Sequence, residues 1–374
     1  MSTPAQAVSP VISSQRSWNP FRCTGLDLPV NLAVLVKVLA LVLLLTNHVR
    51  ILPDPWLPFI PLLDRIPPQF FQLTLQTVFV VSALLIVFNR STRVAALVLG
   101  TTLLLAVVSS KAYYGNNKTF CGLMLFLAGL YKPGGLPFLR WQLALTYFGA
   151  GLNKALDGDW HTGVFFENWA VNRLHHTAYI ALDSLLPPLF LARFMCWTTI
   201  VTELATVPCL LIPSLYYWAL LANIFFQSSL LLFTGTTFTL FFYSMTAASL
   251  AFVTWPDAPV TVLYNAQSAF GKRARSLLQP WDLDRRFRWT QSPLRLQLQT
   301  GYGTYSGFRA VRMLILFNPV TWFVIAGLIA VSDNLPGDTA LFRRIVVATS
   351  LILLMPPLAW ILDRAGAGAR NNAQ

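Results

Sequence analysis

Tyr147-Phe-Gly-Ala-Gly-Leu-Asn-Lys154-Ala-Leu-Asp157-Gly-Asp159-Trp160-His161-Thr-Gly163 is the stretch on which the reading of this chain turns. An apolar helix carries one lysine near its end and then breaks, at Gly158, into acids, a tryptophan, a histidine and a further glycine. Spacing of i, i+4 and i+7 puts Tyr147, Gly151 and Lys154 on one helical face. Gly149 and Gly151 let a neighbouring helix come close. The pattern describes a multi-pass membrane protein with one polar mouth.

Composition agrees. Hydrophobic residues make up 55% of the 374 and charged residues only 11%, where a soluble domain carries about 25% charged. Lipid is therefore the expected solvent. The net charge of +13 is read first as a topology signal. Nucleic acid is not an expected partner, because basic residues on a soluble face are missing from most of the chain. Cys23, Cys121, Cys196 and Cys209 have no C-x-x-C spacing, and three of them fall in apolar runs. Neither a disulfide framework nor a metal site is expected. The first 28 residues are Ser/Pro-rich, with no clear signal-peptide cleavage pattern.

A helix needs roughly 17–25 apolar residues to span the ~30 Å hydrocarbon core. Apolar runs fall at 29–48, 69–89, 93–113, 119–131, 139–155, 189–213, 215–234, 237–254, 309–332 and 341–362. The expected fold is an all-α polytopic membrane protein of about ten transmembrane helices with a small cytoplasmic α/β-like insertion. The short run 119–131 places Asn116, Asn117 and Lys118 near or within the membrane plane. Polar groups survive there only against protein or a wet cavity. The expected division is a tail to residue 28, a transmembrane domain over 29–255, the insertion over 256–308, a transmembrane hairpin over 309–363 and a tail over 364–374. In the insertion, residues 260–264 and 286–289 read as strands and 267–278 as a basic helix ended by Pro280.

Arg90 and Arg93, Lys132 and Arg140, and the basic 256–308 segment fall on one side if the helices alternate. That side is expected to be cytoplasmic, with both termini, and loop 156–188 is outside. Lys111, Lys118, Arg343 and Arg344 run against the pattern.

Several polar residues carry two readings. Lys154 is either a lysine snorkelling to the interface or a desolvated amine able to act as a base. Asp157, Asp159, Trp160 and His161 form either an interfacial loop with a Trp anchor or a substrate-facing turn. His175 and His176, about 100° apart on a helix, suit a solvated loop better than a shared ion. Glu203 is the one acid inside the run 189–213. On insertion scales such a group costs roughly 2.5 kcal/mol or more, so a partner or a function is expected. Lys37 is a candidate partner, and the Lys154 cavity a candidate location.

The segment Tyr147-Phe-x-Ala-Gly-x-x-Lys154 followed by Asp159-Trp160-x-x-Gly163 resembles the HTTM family, the membrane domain shared by vitamin K-dependent gamma-carboxylase and many bacterial proteins. Asn116-Asn117-Lys118-Thr-Phe is similar to that family's Asn-Asn-His-x-Tyr, and Thr202-Glu203-Leu204 to its acidic position after the outer loop. The resemblance covers about residues 25–255. It implies a bacterial inner-membrane protein with Lys154 as base, Asp157, Asp159 and His161 beside it, and Asn116, Asn117, Lys118, Tyr147, Trp160 and Glu203 around a quinone or other apolar redox molecule. The chain departs from the family where Lys118 stands for histidine, where the helix near Phe226 lacks a second histidine and offers Gln227, and where no large lumenal domain follows. Residues 262–271, Val-Leu-Tyr-Asn-Ala-Gln-Ser268-Ala-Phe-Gly271, resemble the Tyr-Asp-Gly-x-Cys-x-x-Cys opening of DCC-type thiol-disulfide oxidoreductases, and Gly307-Phe-Arg-Ala with Asn318-Pro-Val-Thr-Trp322 their closing stretch. Ser268 and Gly271 replace both cysteines, so thiol exchange is not expected. Two functional classes stay open: a membrane oxidoreductase or carboxylase-like enzyme, and a non-catalytic accessory or scaffold subunit bound to a membrane protein partner.

Overall fold

The computed structural model describes residues 19–46, 48, 56–132, 136–234, 239–251, 255–334, 342 and 345–349. Helices dominate, with one small sheet. In order these are α1 (Val30–Leu45), α2 (Pro68–Val87), α3 (Thr92–Ser109), α4 (Asn116–Gly129), α5 (Leu136–Ala155), α6 (Gly158–Thr162), α7 (Val164–Glu167), α8 (Thr177–Asp183), α9 (Phe190–Leu211), α10 (Tyr216–Thr234), α11 (Thr239–Leu250), β1 (Val260–Tyr264), α12 (Ala269–Leu278), β2 (Phe287–Gln291), β3 (Gln297–Thr300), β4 (Gly303–Ser306), α13 (Phe308–Leu316) and α14 (Pro319–Asn334).

Against the ten expected spans, α2, α3 and α9 are long and apolar enough to cross a membrane among the described residues, with α13 and α14 a fourth crossing if they count as one broken span. The run 119–131 is the 14-residue α4, about 21 Å long. Large apolar side chains such as Phe70, Leu73, Phe194 and Val201 stay exposed on α2 and α9, as on surfaces solvated by lipid. α1 is different: from Asn31 to Ala40 every residue is buried, because α2, α4, α11 and α14 surround it.

The run 309–332, expected as one span, is two helices bent by 71°. Pro319 has no N–H to continue the helical ladder. Asn318 takes over the junction: its Oδ1 accepts from Val320 N at 3.1 Å and its Nδ2 donates to Trp281 O at 3.0 Å. α13 is thereby turned onto β3 and β4. The last expected span, 341–362, and both tails lie largely outside the described residues.

The α/β insertion contains the expected β1 and α12, and its second strand runs two residues further than read from sequence. The strand order is β2-β1-β3-β4, with β1 parallel to β2 and antiparallel to β3, and β3 antiparallel to β4. β1-α12-β2 is thus a parallel crossover unit, followed by a hairpin and α13.

This α/β unit is fastened to the helical bundle through residues 19–24. Asp284 accepts from Cys23 N at 3.0 Å, Thr24 N at 3.1 Å and Thr24 Oγ1 at 2.7 Å. Arg286, fully buried, donates to Thr24 Oγ1 at 3.0 Å and Pro256 O at 2.6 Å. Lys37 reaches the same strap from α1, its Nζ donating to Pro20 O at 2.5 Å and Arg22 O at 2.6 Å. Lys37 is therefore not the partner of Glu203. Burial pushes the Cys23 thiol up to about 12, so it carries no thiolate near neutral pH. Asp284→Ala would strand the buried Cys23 N–H, at about 1–3 kcal/mol, and two part-buried donors of Thr24. We expect a lower unfolding temperature in detergent and new tryptic cuts within 255–316, with Asp284→Asn milder.

Candidate functional site

The quoted segment folds in two parts. α5 ends at Ala155, and Asp157 then caps α6, accepting from Asp159 N at 2.9 Å. Gly163 closes α6 at φ 87°, a left-handed conformation that glycine adopts without a Cβ penalty. α7 runs into a wide helical turn, where Leu174 N donates five residues back to Trp169 O at 3.0 Å. Aromatic rings fill this connection between α5 and α9: Phe166 and Trp169 pack on Phe233 of α10, and His176 stacks on the same ring at 4.4 Å. Tyr179 OH donates to Glu167 Oε2 at 2.6 Å.

α5 and α9 lie in close contact. A Cβ on Gly151 would sit 2.9 Å from Leu204 Cδ2 and 3.3 Å from Glu203 Cβ, so the glycine sets the helix separation. One turn further, Lys154 Nζ donates to both oxygens of Glu203, at 2.8 and 2.7 Å. The Glu203 side chain is 6% exposed and that of Lys154 20%, so the acid lies deeper and the lysine stem leads outward. Nζ also stands 5.2 Å from the Trp160 ring centroid, a cation–π contact. Trp160 in turn stacks on Phe165 at 4.5 Å.

The other expected site residues divide into separate groups. Tyr147, about 10 Å further along the α5 face, is buried in a network of its own. Its hydroxyl donates to Asn223 Oδ1 and accepts from Gln227 Nε2 at 3.1 Å. Asn223 Nδ2 donates to Met245 O at 3.1 Å and Ser249 Oγ at 2.7 Å. Asp157 spends its carboxylate on the α6 cap, and Asp159 is exposed. His161 turns away: Nε2 bonds Ala155 O at 2.8 Å, so it carries the proton, and the ring stacks on Trp197 at 5.2 Å. Asn116 accepts from Tyr114 OH at 2.9 Å, and Asn117 Oδ1 from Lys118 N at 2.9 Å. Lys118 Nζ donates to Tyr113 O at 2.7 Å and lies 3.7 Å from the Tyr113 ring centroid. The bonds of these three side chains stay within 113–118.

The constellation that does assemble is Lys154, Glu203 and Trp160. Asn223 and Ser249 went unread in the sequence, although amide and hydroxyl groups inside apolar helices were the available signal. Among the described residues, no group of three or more His, Cys, Asp or Glu could hold a metal ion. Chemically, an ammonium bound to both oxygens of a carboxylate is held in its charged form. It becomes a base only by passing a proton to that carboxylate.

Compared with known proteins, the chain matches no family model, no curated protein and no solved structure.

Removing one member of a buried pair strands the other, at a cost of about 3 kcal/mol. Glu203→Gln and Lys154→Met should each lower the unfolding temperature. The Lys154→Met/Glu203→Met double variant should recover most of the loss in a thermal-shift double-mutant cycle.

Proposed function

We propose that the chain is an HTTM-like protein of the bacterial inner membrane that binds a quinone or another hydrophobic redox molecule at an outward-facing site around Lys154, with the Lys154 amine as base. The observation that carries this reading is the two-oxygen bond between Lys154 and Glu203 beneath the Trp160 ring. Glu203 is placed to receive the Nζ proton, giving a neutral amine beside a neutral acid. The amine can then take the proton of a hydroxyl bound next to it, leaving an ammonium beside the bound oxyanion and a neutral Glu203. Asp157, Asp159 and His161 support the turn that carries Trp160; in this reading they are not bases. Quinone extracted from protein purified out of native membranes should fall at least tenfold in Lys154→Ala, by mass spectrometry of the lipid extract. Undiminished quinone, or none in the parent protein, overturns the proposal.

A second reading, an accessory or scaffold subunit of a membrane protein complex, is favoured by the α/β unit. The turn from β1 into α12 of a βαβ unit is where a C-x-x-C redox motif would sit. Ser268 there caps the helix, accepting from Gly271 N at 3.5 Å, and a Cβ on Gly271 would lie 2.5 Å from Asn265 O. The backbone as folded has no room for a cysteine at 271. Ser268→Cys/Gly271→Cys should therefore destabilise the unit and keep two free thiols by thiol titration under mild oxidation. A readily formed disulfide would count against this reading.

A further inference from the structure

We infer that the flank of the α/β unit formed by α12 and the 279–285 loop docks on the anionic headgroups of the adjoining membrane leaflet. The inference rests on α2 and α14 entering a bilayer, and not on the Lys154 site.

Charge comes first. Residues 260–316 hold nine Lys and Arg against two acids. Neither acid is exposed. Asp284 faces the strap, and Asp282 accepts from Arg286 N and Phe287 N, both at 2.8 Å. Lys272, Arg273, Arg285, Arg288, Arg295 and Arg309 are exposed, so the outer surface of the unit is of one sign. Asp257, just before β1, is the nearest exposed acid in sequence.

The apolar groups come second. Gly271 and Ala274 face inward on α12. Phe270, Arg273 and Leu277, at i, i+3 and i+7, therefore share an outer stripe. Phe270 is 42% exposed and Leu277 67%. Past the helix end, Trp281 and Leu283 continue the apolar surface at 49% and 42% exposed. A basic stripe interleaved with Phe, Leu and Trp is the composition of surfaces that lie in the headgroup layer.

Position comes third, and it selects the lipid surface as occupant. Trp281 O accepts from Asn318 Nδ2 at the very start of α14. Leu283 O accepts from Asn19 Nδ2 at 2.8 Å, while Asn19 O accepts from Asn89 Nδ2 at 2.7 Å, two residues past the end of α2. A side-chain amide and a carbonyl are all that separate the loop from the end of a candidate membrane span. Exposed Trp281 and Leu283 thus stand at headgroup level, and the α12 stripe leads away from them. Headgroup attraction acts within a Debye length, about 8 Å at physiological salt, so the charges nearest this level count most.

The test is hydrogen–deuterium exchange on the full chain in nanodiscs of phosphatidylcholine alone or with one-third phosphatidylglycerol. Amides of 269–285 should exchange at least threefold more slowly with phosphatidylglycerol. High salt should abolish the difference, and so should Arg273→Glu/Leu277→Glu, with β1 protection unchanged as the check on folding. Equal exchange in the two lipids, or slowing that survives salt and the double variant, overturns the inference. Failure to enter nanodiscs overturns the span reading on which it stands.

Discussion

Lys37 lies in the buried Asn31–Ala40 part of α1, yet among the described residues no carboxylate pairs with its ammonium within 4 Å. It is held by two backbone carbonyls, of Pro20 and Arg22, and it stands 5.6 Å from the Phe323 ring centroid. A charge in an apolar interior must be met by dipoles or by an opposite charge. Here the strap is folded back against α1 to provide the dipoles. Much else follows from that placement. The strap then offers Cys23 N and Thr24 to Asp284 and Arg286, and Asn19 to Leu283 and Asn89. The strap that holds this buried cation thus also fastens the α/β unit to the bundle.

The same rule organises the other end of the molecule with a different answer. Glu203 is met by a full opposite charge, Lys154, from a neighbouring helix that a glycine allows close. Tyr147, Asn223 and Ser249 are met by one another, and Gln227 donates to the Tyr147 hydroxyl. These are three ways of satisfying polar groups away from water, and they have different consequences. The backbone-held lysine and the amide network specify packing. The ion pair places an acid and an amine where a proton can pass between them, as the proposed function requires.

Periodicity and length made the helices legible: the apolar runs located α1 to α5 and α9 to α11 closely. β1 was found as a short alternating run. β3 and β4 were missed because Gln297–Thr300 and Gly303–Ser306 are polar and glycine-bearing, and they become strands only by pairing with β1 and each other. The break at Asn318-Pro319 was written in the chain, but the apolar run around it outweighed the proline. At the site, the cost of burying an acid identified Glu203 from sequence. Its partner was not legible there, because Lys37 and Lys154 both stand in apolar helices and only the packing of α5 on α9 distinguishes them. The acids 157 and 159 had the right neighbours in sequence, but helix capping and solvent claim them.

The strap joins residues far apart in the order of synthesis. Pro20 and Arg22 leave the ribosome within seventeen residues of Lys37, so its ammonium has local carbonyls as soon as α1 forms. Asp284 and Arg286 follow some 260 residues later, roughly 13–50 s at ~5–20 residues per second. Until then the Asp284 carboxylate that accepts from Cys23 and Thr24 in the folded chain has not been made. The nascent bundle thus presents a receptor for its own late-made segment, and closing it records that the chain has been translated through residue 286.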